Sequence, residues 1–272
     1  HVIYGIAGLK IHGKVLLVIR EELDQVRAYA HVGTGNYHSK TANLYTDFGL
    51  FTSKESYTRE LLDFFNFLTG RSKKSDYEKM LVAPINMSSR FLELIGKETA
   101  NAKEGRPAEI IAKMNSLEEK GIIEALYEAS EAGVKITLFV RGVCCLRPGV
   151  PGLSENISVV SVVGRLLEHS RVYFFRSGAE DRADGLFFIG SADWMSRNLH
   201  RRVELIAPVE ERGHRERFLR LFDVISNDRV LAWDLDQDGS YTRRQPQSEG
   251  EQNSGTHETI MKFTKEFGET SF

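Results

Sequence analysis

The sequence is poor in cysteine, in net charge and in long apolar runs. Its only two cysteines are neighbours, Cys144 and Cys145. Adjacent cysteines close no useful loop, and two are too few for a disulfide framework. The expected state is reduced, buried thiols in a reducing cytoplasm. No stretch approaches the roughly 20 apolar residues that span a bilayer, and no secretory signal is recognisable. A peripheral contact with a membrane would leave no mark in such a sequence. Lys and Arg number 36 against 38 Asp and Glu, a net charge of −2. That balance excludes a general nucleic-acid binder, which needs a basic face, but local clusters of cations can still hold a compact anion. An initiating methionine is also missing: the chain opens His1-Val2-Ile3-Tyr4, and the expectation is a fragment of a longer protein.

What remains is an ordinary globular composition, 41% hydrophobic and 27% charged over 272 residues, enough for one large domain or two ordinary ones. Its most informative feature is a repeat. His12 and Lys14 are followed by Gly33-Thr34-Gly35-Asn36 and then Asp47; His169 and Arg171 are followed by Gly190-Ser191-Ala192-Asp193 and then Glu204. A single offset of 157 positions superimposes all of these residues. So many matched polar positions point to internal duplication, with two histidines facing one phosphorus.

Hydrophobic periodicity predicts strands over 1–9, 14–20, 26–32, 80–84, 135–140, 157–163, 171–176, 186–190 and 203–207. Helices are expected over 56–69, 88–104, 116–131 and 210–226, the third capped by Ser116 with Glu119 three residues on. Residues 70–75 read as a linker, 237–257 as a mobile polar tail or long loop, and 258–267 as a short terminal helix. Alternating strands and helices imply α/β layers around a central mixed sheet. The duplication divides the chain into a unit over 1–78, truncated at its start, and a second over 79–272 with its polar tail from about 237.

On a strand, side chains two apart share a face, so His12 projects with Lys14 and His169 with Arg171. A neutral imidazole can attack phosphorus while a neighbouring cation stabilises the phosphoryl oxygens. Glycine turns bearing a hydroxyl bring donors to an anion. Asp47 and Glu204 are candidates to orient the histidines, or are simple salt-bridge partners. His31, His38, His200 and His214 fall outside the matched register and are expected to be structural.

His-x-Lys followed by Gly-Ser/Thr resembles the phospholipase D superfamily, with departures. That superfamily's usual aspartate position, five after the lysine, is Ile19 here, and Arg171 replaces the second lysine. Gly8-Leu-Lys-Ile-His12-Gly-Lys14, Tyr29–Tyr37, Thr41–Asp47, Leu138–Cys144, Leu167–Tyr173 and Gly190–Leu199 together closely resemble the C-terminal half of bacterial polyphosphate kinases. The resemblance implies two phospholipase-D-like α/β units, each with a central mixed sheet flanked by helices. It also implies reversible transfer of the ATP terminal phosphate to inorganic polyphosphate through a phosphohistidine. By it, His12 is the phosphorylated nucleophile and His169 the second active-site histidine. Tyr45, Arg141 and Arg202 contact nucleotide or phosphate, with Lys14 and Arg171 beside them. The family's magnesium-associated arginines lie upstream of the His12 motif, so Mg²⁺ is the expected cofactor but no metal ligand is expected within this chain. The implied partners are ATP, ADP and polyphosphate, within a homo-oligomeric whole protein. The competing expectation is a phospholipase-D-type phosphodiesterase or nuclease, which would keep both histidines but needs no nucleotide clamp. A non-enzymatic polyphosphate-binding module would need the cations but not the histidines.

Overall fold

The structure, a computed structural model, describes residues 1–72, 76–248 and 255–269. Residues 73–75 of the expected linker and 249–254 of the expected tail lie outside them.

A mixed sheet of ten strands runs from Lys10–Ile11 at one edge through Arg202–Pro208, Leu186–Gly190, Val172–Phe175, Glu109–Met114, Lys135–Val140, Ile157–Val162 and Ala232–Leu235 to Tyr241–Arg243, with Leu81–Ala83 also paired to Arg202–Pro208. Its central strands read as nearly unbroken apolar runs because both faces are covered. Along Glu109–Met114, Ile110, Ala112 and Met114 point into one core, which is packed by Phe91, Leu94 and Ile95 of helix Met87–Lys103 and by Ile122 and Leu126 of helix Lys120–Glu131. Ile111 points the opposite way, into a second core with Phe218, Leu221, Phe222 and Ile225 of helix Arg212–Ser226. The protein is thus a mixed α/β fold with a central mixed sheet flanked by helices. A smaller antiparallel sheet, Lys14–Glu22, Gln25–Gly33 and Gly49–Thr52, packs Ala30 and Val32 against Tyr57, Leu61 and Phe64 of helix Glu55–Leu68.

The 157-residue offset governs backbone register as well as sequence. Val15 pairs with Val32 and Gly33 with Gly49; 157 residues on, Val172 pairs with Ile189 and Gly190 with Ile206. Helix Glu55–Leu68 begins 157 residues before helix Arg212–Ser226. The copies also exchange strands. Lys10 and Ile11 pair in parallel with Arg202 and Val203; their mates 157 residues on, Leu167 and Glu168, pair in parallel with Tyr45 and Thr46, the mates of Arg202 and Val203. Lys54 and its mate Glu211 meet at 2.6 Å, as residues beside a pseudo-twofold axis do.

Three expectations are corrected. Residues 1–9 are not a strand: Gly5 (φ 89°) and Gly8 (φ 80°) adopt left-handed conformations that break an extended run, and pairing begins only at Lys10. The helix expected from 116 starts at Lys120, and Ser116 does not cap it. The backbone N–H groups of Leu117, Glu118 and Glu119 instead donate to Val143 and Trp194 carbonyls, and bridges from Leu117 to Cys144 and Trp194 hold this stretch extended. The segment from 237 is not wholly a tail or loop either. Tyr241–Arg243 pairs with Ala232–Leu235, Arg244 binds Asp234 at 2.6 Å, and Thr256 and His257 are buried. A polar sequence concealed this order because ion pairs rather than apolar packing secure it.

Candidate active site

Each histidine begins from a strand end that the other copy grips. The His12 N–H donates to the Val203 carbonyl at 2.8 Å. This brings His12 Nδ1 to 2.8 Å from Glu204 Oε2, and Ser191 Oγ donates to the same carboxylate oxygen. In the other copy, His169 Nδ1 lies 2.9 Å and 3.0 Å from the two oxygens of Asp47, and Thr34 Oγ1 donates to Asp47 at 2.6 Å. The pairing is therefore crossed: each imidazole is oriented by the carboxylate and hydroxyl of the opposite copy. A carboxylate on Nδ1 selects the Nδ1–H tautomer and turns the Nε2 lone pair outward.

The two outward nitrogens differ. Arg171 donates through NH1 to His169 Nε2 at 3.1 Å and to the His169 carbonyl at 2.7 Å. Its mate Lys14 donates to the His12 carbonyl at 2.6 Å, and nothing bonds His12 Nε2 among the described residues. The arginine that departs from the His-x-Lys pattern reaches an atom its shorter counterpart leaves open.

The cations converge on these imidazoles. Lys14 is only 5% exposed; burial pushes its ammonium down to about 8, Arg171 and Arg202 push the same way, and Glu204 and Asp47 resist. Burial likewise lowers His169, the Asp47 hydrogen bond opposes it, and the charges on Arg171 and Lys14 add to it. His169 is consequently neutral at pH 7. Arg202, the mate of Tyr45, sits 3.9 Å from Glu204 Oε1, a buried oxygen with no hydrogen bond among the described residues. Tyr45 packs its ring 4.8 Å from the His169 ring. Arg141, just beyond strand Lys135–Val140, donates through Nε to the Glu168 carbonyl at 3.2 Å and through NH2 to Asn115 Oδ1 at 2.7 Å. The nine residues of the expected chemistry form two bonded groups, His12, Lys14, Glu204 and Arg202 in one and Tyr45, Asp47, Arg141, His169 and Arg171 in the other, and the charges of Asp47 and Arg171 both act on Lys14.

Asn115 escaped the sequence reading. It binds the His169 carbonyl at 3.1 Å, and its backbone N–H donates at 2.7 Å to Asp193, whose carboxylate also grips Arg171 twice at 3.1 Å. An amide closing an apolar strand was its one visible signal. The histidines outside the register sit elsewhere: His31 bonds Tyr37, His38 caps helix Ser39–Ala42, and His200 lies 3.4 Å from Glu119.

Known proteins resemble both copies. The family description "Polyphosphate kinase C-terminal domain 1" matches residues 1–74, and "Polyphosphate kinase C-terminal domain 2" matches residues 80–255. The chain belongs to the polyphosphate kinase family. It is 49% identical over 264 residues to polyphosphate kinase of Thermosynechococcus vestitus, covering 97% of this chain and 35% of that protein. It is 46% identical to polyphosphate kinase of Pseudomonas aeruginosa, over 96% of this chain and 37% of that protein. The crystal structure of polyphosphate kinase from Porphyromonas gingivalis superimposes with a TM-score of 0.88 at 33% identity, covering 97% of this chain and 40% of that one. The chain therefore spans little more than a third of the length of the curated relatives it matches. No helix among its described residues is long and apolar enough to cross a membrane.

Magnesium does not fit these side chains as a caged ion. It needs oxygen ligands, yet Asp47 and Glu204 Oε2 already hold imidazoles, Glu204 Oε1 faces Arg202, and the surrounding groups are cations. No group of three or more candidate metal-binding side chains occurs among the described residues.

Proposed function

We propose that the whole protein transfers the terminal phosphoryl group of ATP reversibly to inorganic polyphosphate, with His12 as the covalent carrier. The observation that carries this reading is the asymmetry at Nε2: His12 offers an open, outward lone pair, while Arg171 binds that of His169. His12 Nε2 attacks the γ-phosphorus, the bond to the bridging oxygen breaks, and ADP leaves with that electron pair. Glu204, bonded to Nδ1–H, stabilises the positive charge that develops on the phosphorylated ring. A terminal polyphosphate oxygen then attacks the same phosphorus, restoring His12 and lengthening the polymer by one unit.

Such transfer depends mainly on positioning and charge stabilisation. Lys14, Arg171 and Arg202 surround the transferred phosphoryl group, and Arg141 holds nucleotide phosphates with the donors its protein contacts leave free. Arginine forks suit this because they grip phosphate bidentately. His169, neutral at rest, stands across the phosphorus as a base, and as an acid once it has taken up a proton. Tyr45 contacts the nucleotide from beside His169. Magnesium, in this reading, belongs to the nucleotide's phosphates rather than to a site on these residues, and the whole protein is a homo-oligomer acting in the cytoplasm. The units 1–78 and 79–272 act together, since neither histidine is oriented within its own copy.

Intact protein incubated with ATP, Mg²⁺ and short polyphosphate should yield ADP and longer polymer, and with ADP and polyphosphate should yield ATP. Hydrolysis of phosphodiesters without polymer growth would instead favour the phosphodiesterase reading.

A further inference from the structure

Behind His169 lies a buried charged cluster that the mechanism above leaves unused. Lys113 Nζ sits 2.8 Å from Glu168 Oε2, and both side chains are about 95% buried. Lys113 also donates to Ser170 Oγ at 2.8 Å and to its carbonyl at 3.2 Å. The third member comes from far along the chain. His257, 1% exposed at the start of helix Thr256–Glu269, approaches Glu168 Oε1 with Nε2 at 3.0 Å, while its Nδ1 accepts from the Leu166 N–H at 3.3 Å. Those two bonds fix the Nε2–H tautomer. Burial alone would push the Glu168 carboxyl up, but Lys113 and the His257 hydrogen bond outweigh it and hold it at about 2.

The segment so gripped is the one that presents His169. Three successive carbonyls are bound by side chains from different elements: Glu168 by Arg141, His169 by Asn115 and Arg171, and Ser170 by Lys113. On the other side, Leu167 and Glu168 pair with Tyr45 and Thr46. The Glu168 side chain and the backbone at Leu166 are held by His257 alone among the described residues of the C-terminal segment. That segment is itself anchored, because Thr256 donates through its N–H to Asp228 at 2.7 Å and through its hydroxyl to the same oxygen at 2.5 Å. The fit leaves no slack at Gly164, where a Cβ would lie 2.9 Å from His257 Nδ1.

We propose that His257 is a positioning residue for phosphoryl transfer, acting through Glu168 to set the backbone from which His169 faces the phosphorus, so that the C-terminal helix completes the active site. This rests on the polyphosphate kinase reading given above. A buried ion pair is a poor source of net stability, whereas small displacements of a reacting group are costly to rate, up to about 100-fold for about 1 Å.

The test is single-turnover phosphoryl loading from labelled ATP, with ATP affinity measured separately, in the intact protein. His257→Asn keeps an acceptor near Nδ1 but does not reach Glu168; His257→Gln keeps a donor near Nε2. Loading should slow about 10- to 100-fold in His257→Asn with ATP affinity within about threefold, and His257→Gln should stay within about threefold of the parent. Equal slowing in both variants, an unimpaired His257→Asn, or parallel loss of affinity and rate would overturn the proposal. Should His257→Asn fail to fold, His257→Gln still decides: soluble protein with loading reduced more than about tenfold contradicts it, and near-parental loading supports it. Absence of loading in the parent protein would strike the polyphosphate kinase reading instead.

Discussion

Lys14 carries an ammonium group into a nearly closed position where two arginines share its surroundings. Its depressed value, about 8, sets the sign of a pH effect. The cation exists below that pH and is lost as pH rises through it, so kcat/KM for ATP should fall along an alkaline limb near 8. Arginine stays charged throughout that range, so Lys14→Arg should move the limb upward by at least about one unit, whatever its absolute rate. A limb that stays put in the variant would assign it to another group. Arg141 makes a second prediction at this scale. Its fork bonds the Glu168 carbonyl and the Asn115 side chain through two separate nitrogens at once, a planar geometry that the single ammonium of lysine does not reproduce. Arg141→Lys should lower kcat/KM for ATP by roughly 5- to 150-fold, about 1–3 kcal/mol. Steady-state kinetics at varied ATP within about twofold of the parent would show that Arg141 does not serve the phosphates.

At the scale of elements, the two glycine turns are sequence mates with unequal packing. A Cβ on Gly190 would lie 2.2 Å from the Leu205 carbonyl oxygen and 2.6 Å from Ile206 Cα, backbone that cannot swing aside. On Gly33 the nearest atom would be His31 Cε1 at 3.1 Å, in a side chain that can give way. Gly190→Ala should therefore destabilise the protein by about 1–3 kcal/mol or more, and Gly33→Ala by less than about 1 kcal/mol, in urea unfolding. Equal losses would mean that the copies pack alike. The elements themselves were largely legible. Apolar alternation located Lys14–Glu22, Gln25–Gly33 and the helices Glu55–Leu68 and Arg212–Ser226 to within two residues. Local pattern failed where tertiary bonds decide: at Leu117–Glu119, whose donors are taken by Val143 and Trp194, and at Thr256 and His257, buried by ionic partners in a polar stretch.

At the scale of the whole molecule, the duplication seen in the sequence becomes a pair of interlocked units. The offset of 157 named both histidines, both cations and both carboxylates, but it could not say which carboxylate serves which histidine. The fold pairs each histidine with the carboxylate of the other copy, because each copy's two-residue strand joins the other copy's carboxylate-bearing strand region. That crossing depends on contacts more than 120 residues apart, beyond any local pattern. It also makes one site from two units, with one imidazole open at Nε2 and the other bound by arginine. The most direct test of this asymmetry is the position of the covalent phosphate. Intact protein loaded from labelled ATP should carry an acid-labile, base-stable phosphate on the peptide containing His12, and His12→Ala should carry none and make no polyphosphate. Phosphate mapped to the His169 peptide, or near-normal loading in His12→Ala, would contradict the account.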